Sequence, residues 1–244
     1  MLHIAICEDE KLHSKAIQEQ LQKLERSGKY EKLDIQTYLK EEEQQELYTA
    51  AAPEFDIIFM DIELKGLEMS GIELSKRIHQ MHPLTQIIFI TQYEEYCSDV
   101  YEEKHVYFIH KPKMDIYMPK ALEKAIKTLK EEEKNFLYIN YKRKETYVPI
   151  HDILYLERNK RETTIYCAGE PPKCYKAKEK LSELIERLGK NFVVCHRSYA
   201  VNVSKITGFE KRRVRIVGGM TIPIGNNSEE TEVKQRFAQM FTLR

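Results

Sequence analysis

Asp56-Ile57-Ile58-Phe59-Met60-Asp61 decides how the first half of this chain is read. Four apolar residues in an unbroken run, closed by a carboxylate, predict a short strand buried on both faces. Working outward, His3–Glu8, Gln86–Thr91 and Val106–Ile109 are further apolar runs, and Asp34–Leu39 is strand-like. Between them lie helical patterns: Ala16, Ile17, Gln20, Leu21 and Leu24 fall near one face, and Glu41–Ala51, Ile72–Met81 and Asp115–Glu133 follow. Short buried strands alternating with helices predict βαβ units around a parallel sheet. In such sheets functional groups gather at the carboxyl ends of the strands.

Those ends carry Glu8 with Asp9, then Asp61, then Thr91, then Lys111 followed by Pro112. Each alone has a plainer reading, as a helix N-cap or a turn. Together, in chain order, they bring two or three carboxylates to one hydroxyl and one ammonium. Adjacent carboxylates need a cation to stay ionised at neutral pH. Hard oxygen ligands with open positions suit Mg²⁺. A carboxylate nucleophile, a divalent ion, a hydroxyl and a lysine are the parts needed for phosphoryl transfer onto an aspartate.

The segments Ile4-Ala5-Ile6-Cys7-Glu8-Asp9-Glu10, Ile58-Phe59-Met60-Asp61-Ile62, Ile90-Thr91 and Phe108-Ile109-His110-Lys111-Pro112 resemble the receiver domain of two-component response regulators over residues 1–130. The resemblance implies a doubly wound (βα)5 flavodoxin-like fold with Asp61 as phospho-acceptor. It implies that Glu8, Asp9, Asp61 and the carbonyl of Glu63 hold Mg²⁺. Thr91 and Lys111 would contact the phosphoryl group, and Phe108 would be the switch aromatic that turns inward as Thr91 moves. The face around Ser98–Val106 would then change and pair with a second copy or release the second domain. The loop from Glu63 to Gly71 departs from the pattern, being longer and without its proline.

Glu131-Glu132-Glu133 marks a boundary. Beyond it strand candidates are closely spaced: Phe136–Tyr141, Thr146–Ile150, Ile153–Glu157, Thr163–Cys167, Phe192–Cys195, Ile206–Glu210, Val214–Val217 and Met220–Ile224. A helix is predicted through Leu181, Leu184, Ile185 and Leu188, and another over Glu229–Phe241. The second domain, 134–244, is therefore mostly β. Its basic clusters sit where strands should end: Lys142-Arg143-Lys144, Arg158-Asn159-Lys160-Arg161, Lys173 to Lys180 and Lys211-Arg212-Arg213. Residues 1–130 hold 17 Lys and Arg against 24 Asp and Glu, whereas residues from Lys134 onward hold 22 against 12. Such a split points to a polyanion as partner of the second domain.

Val194-Cys195-His196-Arg197-Ser198-Tyr199-Ala200-Val201-Asn202, with Asp152–Glu157 and the helix Lys180–Leu188, resembles the LytTR DNA-binding domain of LytR/AlgR- and AgrA-type regulators. The resemblance implies a β-fold that lays loops into successive major grooves of direct-repeat double-stranded DNA. By it, Asn159, Arg161, Thr163, Arg197, Ser198, Lys205, Asn226 and Asn227 contact DNA, and His196 holds its loop. Gly225-Asn226-Asn227 stands where the family often has arginines, so the amides predict a preference for adenine there. The whole is then expected to be a transcription factor phosphorylated by a cognate histidine kinase, homodimeric when phosphorylated, and not an enzyme beyond phosphoryl transfer on and off its own Asp61.

Two other classes were weighed. A haloacid-dehalogenase phosphatase also uses an aspartate with Mg²⁺ but needs a second aspartate two residues on, where this chain has Glu63. The third class is a receiver whose basic domain binds RNA or a protein. Composition narrows the field: 42% hydrophobic and 32% charged residues support a packed core, and the longest stretch without Asp, Glu, Lys or Arg, Ile78 to Tyr93, is interrupted by His79, His82 and Pro83. No bilayer span or signal-peptide core is expected, hence a cytoplasmic protein without membrane contact. Five cysteines without a C-x-x-C pair are expected to be reduced thiols.

Overall fold

The computed structural model describes residues 1–49 and 53–242, the last two by backbone alone. The chain divides into two compact units, Met1–Glu133 and Lys134–Arg244.

The first unit is a five-stranded parallel sheet. Its strands are β1 (Leu2–Cys7), β2 (Leu33–Tyr38), β3 (Ile57–Met60), β4 (Gln86–Thr91) and β5 (Tyr107–His110), in the order β2-β1-β3-β4-β5. Four helices connect and close them: α1 (Lys11–Arg26), α2 (Glu41–Glu46), α3 (Gly71–Met81) and α4 (Met114–Glu133). The helix expected over Glu41–Ala51 ends at Glu46, and its residues 50 and 51 lie outside the described residues.

Alternation along the strands splits the core in two. Ile4, Ile6, Phe59, Ile88 and Ile90 face one way, onto Ile17 and Leu21 of α1 and Met118, Leu122 and Ala125 of α4. Ala5, Cys7, Ile58, Met60 and Phe89 face the other way, onto Leu74 and Ile78 of α3. Apolar layers on both sides are why these strands read as unbroken hydrophobic runs.

The connection from β4 to β5 is two 3-10 turns, Glu94–Cys97 and Asp99–Glu102, rather than an α-helix. Glu95 with Asp99, and Asp99 with Glu103, would be like charges at i,i+4 in a helix. Only Val100 among residues 92–102 is buried, so packing offers little to offset that repulsion.

The second unit is antiparallel. β6 (Phe136–Tyr141) and β7 (Lys144–Pro149) form a hairpin. β8 (Ile153–Asn159), β9 (Glu162–Cys167), β10 (Lys173–Ala177), β11 (Phe192–His196) and β12 (Tyr199–Asn202) form a sheet in the order β10-β9-β8-β12-β11. β13 (Ile206–Glu210), β14 (Arg213–Ile216) and β15 (Thr221–Pro223) form a third sheet. α5 (Leu181–Leu188) packs Leu181, Leu184 and Leu188 against the five-stranded sheet. α6 (Asn227–Thr242) sinks Val233 among Val193, Val214 and Ile222.

Two strands escaped sequence reasoning. β10 has three exposed residues of five and two lysines, so it read only as a basic cluster. β12 is four residues long and lay hidden in what looked like a loop segment.

Candidate functional site

Parallel pairing delivers the acidic residues to one place. β1 pairs with β3 so that Cys7 lies opposite Met60, and the next residues, Glu8 and Asp61, leave the sheet side by side. Asp61 N–H donates to the Cys7 carbonyl at 2.9 Å, and Asp61 Oδ1 accepts from Ile62 N–H at 2.7 Å. One carboxylate oxygen each from Glu8, Asp9 and Asp61 lie within 4.8 Å of one another. Glu8 is fully buried and Asp61 is 5% exposed.

Lys111, immediately after β5, reaches across the end of the sheet. Its ammonium is 2.5 Å from Asp61 Oδ2 and 2.7 Å from Glu8 Oε2. Burial pushes the Glu8 carboxyl up, the Asp61 charge adds to that, and Lys111 opposes both, leaving it at about 7. Burial would depress the Lys111 ammonium, but the hydrogen bond and charge of Asp61, then those of Glu8, hold it above its ordinary value. Two buried carboxylates thus share one ammonium, with that of Asp9 beside them. Glu8 Oε2 is buried and, although close to Lys111, has no hydrogen bond of good geometry. An all-oxygen donor set with surplus negative charge fits a hard divalent ion such as Mg²⁺.

Thr91 is fully buried at the end of β4, and its hydroxyl accepts weakly from Tyr93 N–H at 3.4 Å. Phe108 is half-buried on β5 and lines a surface cavity of about 340 Å³ with Cys97 and Tyr117. The Glu63 side chain is engaged elsewhere, accepting from Tyr96 Oη at 2.7 Å. The first turn of α1 adds His13, whose Nδ1 is 3.3 Å from both Lys111 Nζ and Glu10 Oε2. Sequence reasoning missed it; the signal was its place one turn into the helix that follows Glu8 and Asp9, whose side chains lean back toward the helix start.

In the second unit, antiparallel pairing brings separate hairpin tips to one edge. Tyr199 lies opposite Glu157, so the β11–β12 turn, Arg197–Ser198, sits beside the β8–β9 turn, Lys160–Arg161. Arg158 N–H donates to the Ser198 carbonyl at 2.7 Å, tying the two tips together. Ser198 N–H donates to His196 Nδ1 at 3.1 Å, so His196 holds this turn. Glu157 accepts from Tyr199 Oη at 2.8 Å and Tyr166 Oη at 3.1 Å, fixing the base of the tip. Arg197, Asn159 and Arg161 are exposed. Gly225 N–H donates to the Cys195 carbonyl at 2.9 Å, which brings Asn226 and Asn227 alongside.

Comparison with protein families resolves what these two arrangements belong to. Residues 4–127 match the model of the response regulator receiver domain, and residues 143–237 match that of the LytTr DNA-binding domain. The chain is a LytTR-type response regulator. It is 27% identical over 168 residues to the transcriptional regulatory protein YpdB of Escherichia coli (strain K12), covering 64% of this chain and 67% of that one. It is 30% identical over 178 residues to the sensory transduction protein LytR of Staphylococcus epidermidis (strain ATCC 12228 / FDA PCI 1200), covering 64% and 68%. A solved LytTr DNA-binding domain of a putative methyl-accepting/DNA response regulator from Bacillus cereus aligns over 42% of this chain and 95% of its own, with 21% identity and a TM-score of 0.36. As a LytTR-type response regulator the chain is a transcription regulator built on a receiver and a DNA-binding domain. Among the described residues no helix is long and apolar enough to cross a membrane.

The structure gives three residues expected at the DNA of this response regulator other settings. Thr163 is fully buried; its hydroxyl donates to the Glu179 carbonyl at 2.7 Å and accepts from Arg158 at 2.9 Å. It is a strut for Arg158, whose guanidinium also donates to the Glu179 carbonyl at 2.7 Å. Lys205 precedes β13, at the opposite end of that strand from Arg212, roughly 20 Å away along extended chain. It does not join the hairpin tips. Asn226 caps α6: its Oδ1 accepts from Glu229 N–H at 2.9 Å while Glu229 Oε2 accepts from Asn226 N–H at 2.7 Å. That reciprocal bond also explains Gly225, because a Cβ there would stand 2.1 Å from Glu229 Oε2. Asn227 remains at the edge, its Oδ1 accepting from Arg212 at 2.8 Å.

Proposed function

We propose that a cognate histidine kinase phosphorylates this regulator on Asp61, and that the phosphorylated protein pairs with a second copy to bind direct-repeat promoter DNA in the cytoplasm. Residues 1–130 act as the acceptor domain and 134–244 as the DNA-binding domain. The observation that carries the reading is the bridge of Lys111 between Asp61 and Glu8, at 2.5 and 2.7 Å.

In the transfer, an Asp61 carboxylate oxygen attacks phosphorus in line, an acyl phosphate forms, and the bond from phosphorus to the donor nitrogen breaks. Glu8, Asp9, Asp61 and the Glu63 carbonyl would hold Mg²⁺, which when bound offsets charge on the phosphoryl oxygens. Lys111 gives up its contact with Asp61 and pairs with a phosphoryl oxygen instead. Thr91 donates its hydroxyl to another. Movement of Thr91 frees space for Phe108 to turn inward, and the face at 98–106 changes shape. Two 3-10 turns carrying Tyr96 and Tyr101 among acids, rather than a packed helix, make that region easier to remodel.

At the DNA, Arg161 and Arg197 reach base edges or phosphates from adjacent turns, with Asn159, Ser198 and Asn227 beside them. The test has two arms on the full-length chain. A small-molecule acyl phosphate with Mg²⁺ labels the wild type and leaves Asp61→Ala unlabelled; labelling of the variant would place the acceptor elsewhere. Selection of duplexes from a random pool enriches a motif repeated near one helical turn; salt-sensitive capture without enrichment would leave only a basic module.

A further inference from the structure

Among the described residues, four that are not glycine have a left-handed backbone: Lys142 (φ 53°), Arg143 (φ 66°), Lys160 (φ 52°) and Arg212 (φ 50°). All four are basic, and all lie in two-residue hairpin turns of the second unit. Tyr141 pairs with Lys144 across Lys142–Arg143, Asn159 with Glu162 across Lys160–Arg161, and Glu210 with Arg213 across Lys211–Arg212. Positive φ at a central position of a two-residue hairpin turn favours Gly, Asn or Asp; Lys142–Arg143 has it at both positions, the other two turns at one. A long cationic side chain is among the poorer choices there, because its Cβ crowds the carbonyl oxygen.

A lysine that serves only solubility can occupy any exposed site, including unstrained ones. Charge placed four times on the strained position of a turn calls for something that requires it at the tip. None of the four has a carboxylate within ion-pair distance among the described residues, whereas nearby Lys176 and Arg215 do, with Glu162 and Glu210. All four are exposed.

Their tips are joined into one edge by hydrogen bonds. Tyr141 Oη donates to Glu162, which opens β9 just after Lys160–Arg161. Arg158 N–H donates to the Ser198 carbonyl at 2.7 Å, linking that turn to Arg197–Ser198. The β11 end is bonded to Gly225 through the Cys195 carbonyl at 2.9 Å, and Ile224 N–H donates to the Arg212 carbonyl at 2.8 Å. The order along the edge is therefore Lys142–Arg143, Lys160–Arg161, Arg197–Ser198 and Lys211–Arg212. The inner two tips are those that the DNA-binding reading uses.

We infer that Lys142, Arg143 and Arg212 are phosphate contacts that extend the DNA interface to both flanks of the Arg161 and Arg197 tips, and that Lys160 is a further one within the Arg161 tip, each cation being kept at a cost in backbone strain. Such contacts position the protein on the duplex and carry no base information. The inference rests on the DNA-binding reading of the second unit.

The experiment measures binding of the full-length chain to a duplex recovered by selection and to a scrambled duplex of equal length, across a salt series. The variants are the pair Lys142→Gly with Arg143→Gly, and Arg212→Gly, with a matching set carrying Asn at the same positions. For each cation removed, the slope of log affinity against log salt should flatten by roughly 0.9, and affinity at physiological salt should drop about fivefold. The loss should be equal on both duplexes, with the thermal midpoint unchanged or raised. Slopes equal to the wild type would overturn the inference while leaving DNA binding intact. A lowered midpoint in both the Gly and the Asn sets would overturn it as well, since the cations would then be serving the fold. Absence of salt-dependent binding by the wild type would overturn the DNA-binding reading and this inference together.

Discussion

A Cβ on Gly71 would stand 1.9 Å from the carbonyl oxygen of Asp61 and 2.9 Å from its carbonyl carbon. Gly71 N–H donates to the Ile62 carbonyl at 2.8 Å, so α3 starts directly against the backbone that presents Asp61, the proposed acceptor. Neither partner is a flexible side-chain end, and relief requires the loop itself to move. Gly71→Ala is expected to cost about 1–3 kcal/mol in chemical denaturation and to weaken labelling of Asp61. Ser70→Ala removes only the cap of the same helix and should cost about 1 kcal/mol with labelling retained. Equal labelling in both variants would show that the Gly71 contact does not position Asp61.

Glu8 is expected to link divalent-ion binding to pH. Its carboxyl stands at about 7 in the fold, above the ordinary value of 4.5, because of burial and the neighbouring Asp61 charge. A raised carboxyl pKa means the folded protein holds this proton more tightly than the unfolded chain. The stability it confers is full below the ordinary carboxylate range and is lost as pH rises through about 7. A bound divalent ion needs the ionised form and so releases the proton. Calorimetric titration with Mg²⁺ should show tighter binding at pH 8 than at pH 6, by about tenfold for each unit below 7. Glu8→Gln should remove most of that dependence; an unchanged pH profile in the variant would show that another group governs it.

Thr163 is expected to matter for stability and not for recognition. Thr163→Val keeps the shape but removes two hydrogen bonds, to the Glu179 carbonyl and from Arg158, which keep their bond to each other. The loss should be about 1–3 kcal/mol of folding free energy, with the selected DNA sequence unchanged. A shift in base preference would restore Thr163 as a contact.

Asn226 and Arg197 should separate cleanly. Asn226→Ala loses the α6 cap and should destabilise the protein by about 1 kcal/mol. Arg197→Ala leaves no internal partner unpaired among the described residues and should not change stability. If Arg197 reaches a base edge, specific binding should weaken by about 1–3 kcal/mol at that position. Equal loss on specific and scrambled duplexes would make it a phosphate contact.

The receiver-like half was legible because its chemistry rides on strand ends. An apolar run buried on both faces announces itself, and the residue that follows it is delivered to the sheet's carboxyl edge by parallel pairing, which is how Glu8, Asp61, Thr91 and Lys111 could be named together. His13 was missed because it belongs to a helix, where only the direction of the side chain reveals that it turns back to Lys111. In the second half the basic clusters were legible but their roles were not. Thr163, Asn226 and Lys205 rest on the family resemblance, and a place in a motif does not say which face, cap or strand end a residue occupies.

By itself, then, the sequence determined the strand–helix order of the first half, the two families, the acidic site and the opposite charge of the two halves, because each follows from local pattern and residue type. Only the tertiary structure decided that Thr163 is a buried strut, that Asn226 caps a helix, that Lys205 stands apart from the tips, and that four strained cations share one edge. Those outcomes depend on antiparallel register and on which hydrogen-bond partner reaches a group first, and both are set by segments distant in the chain.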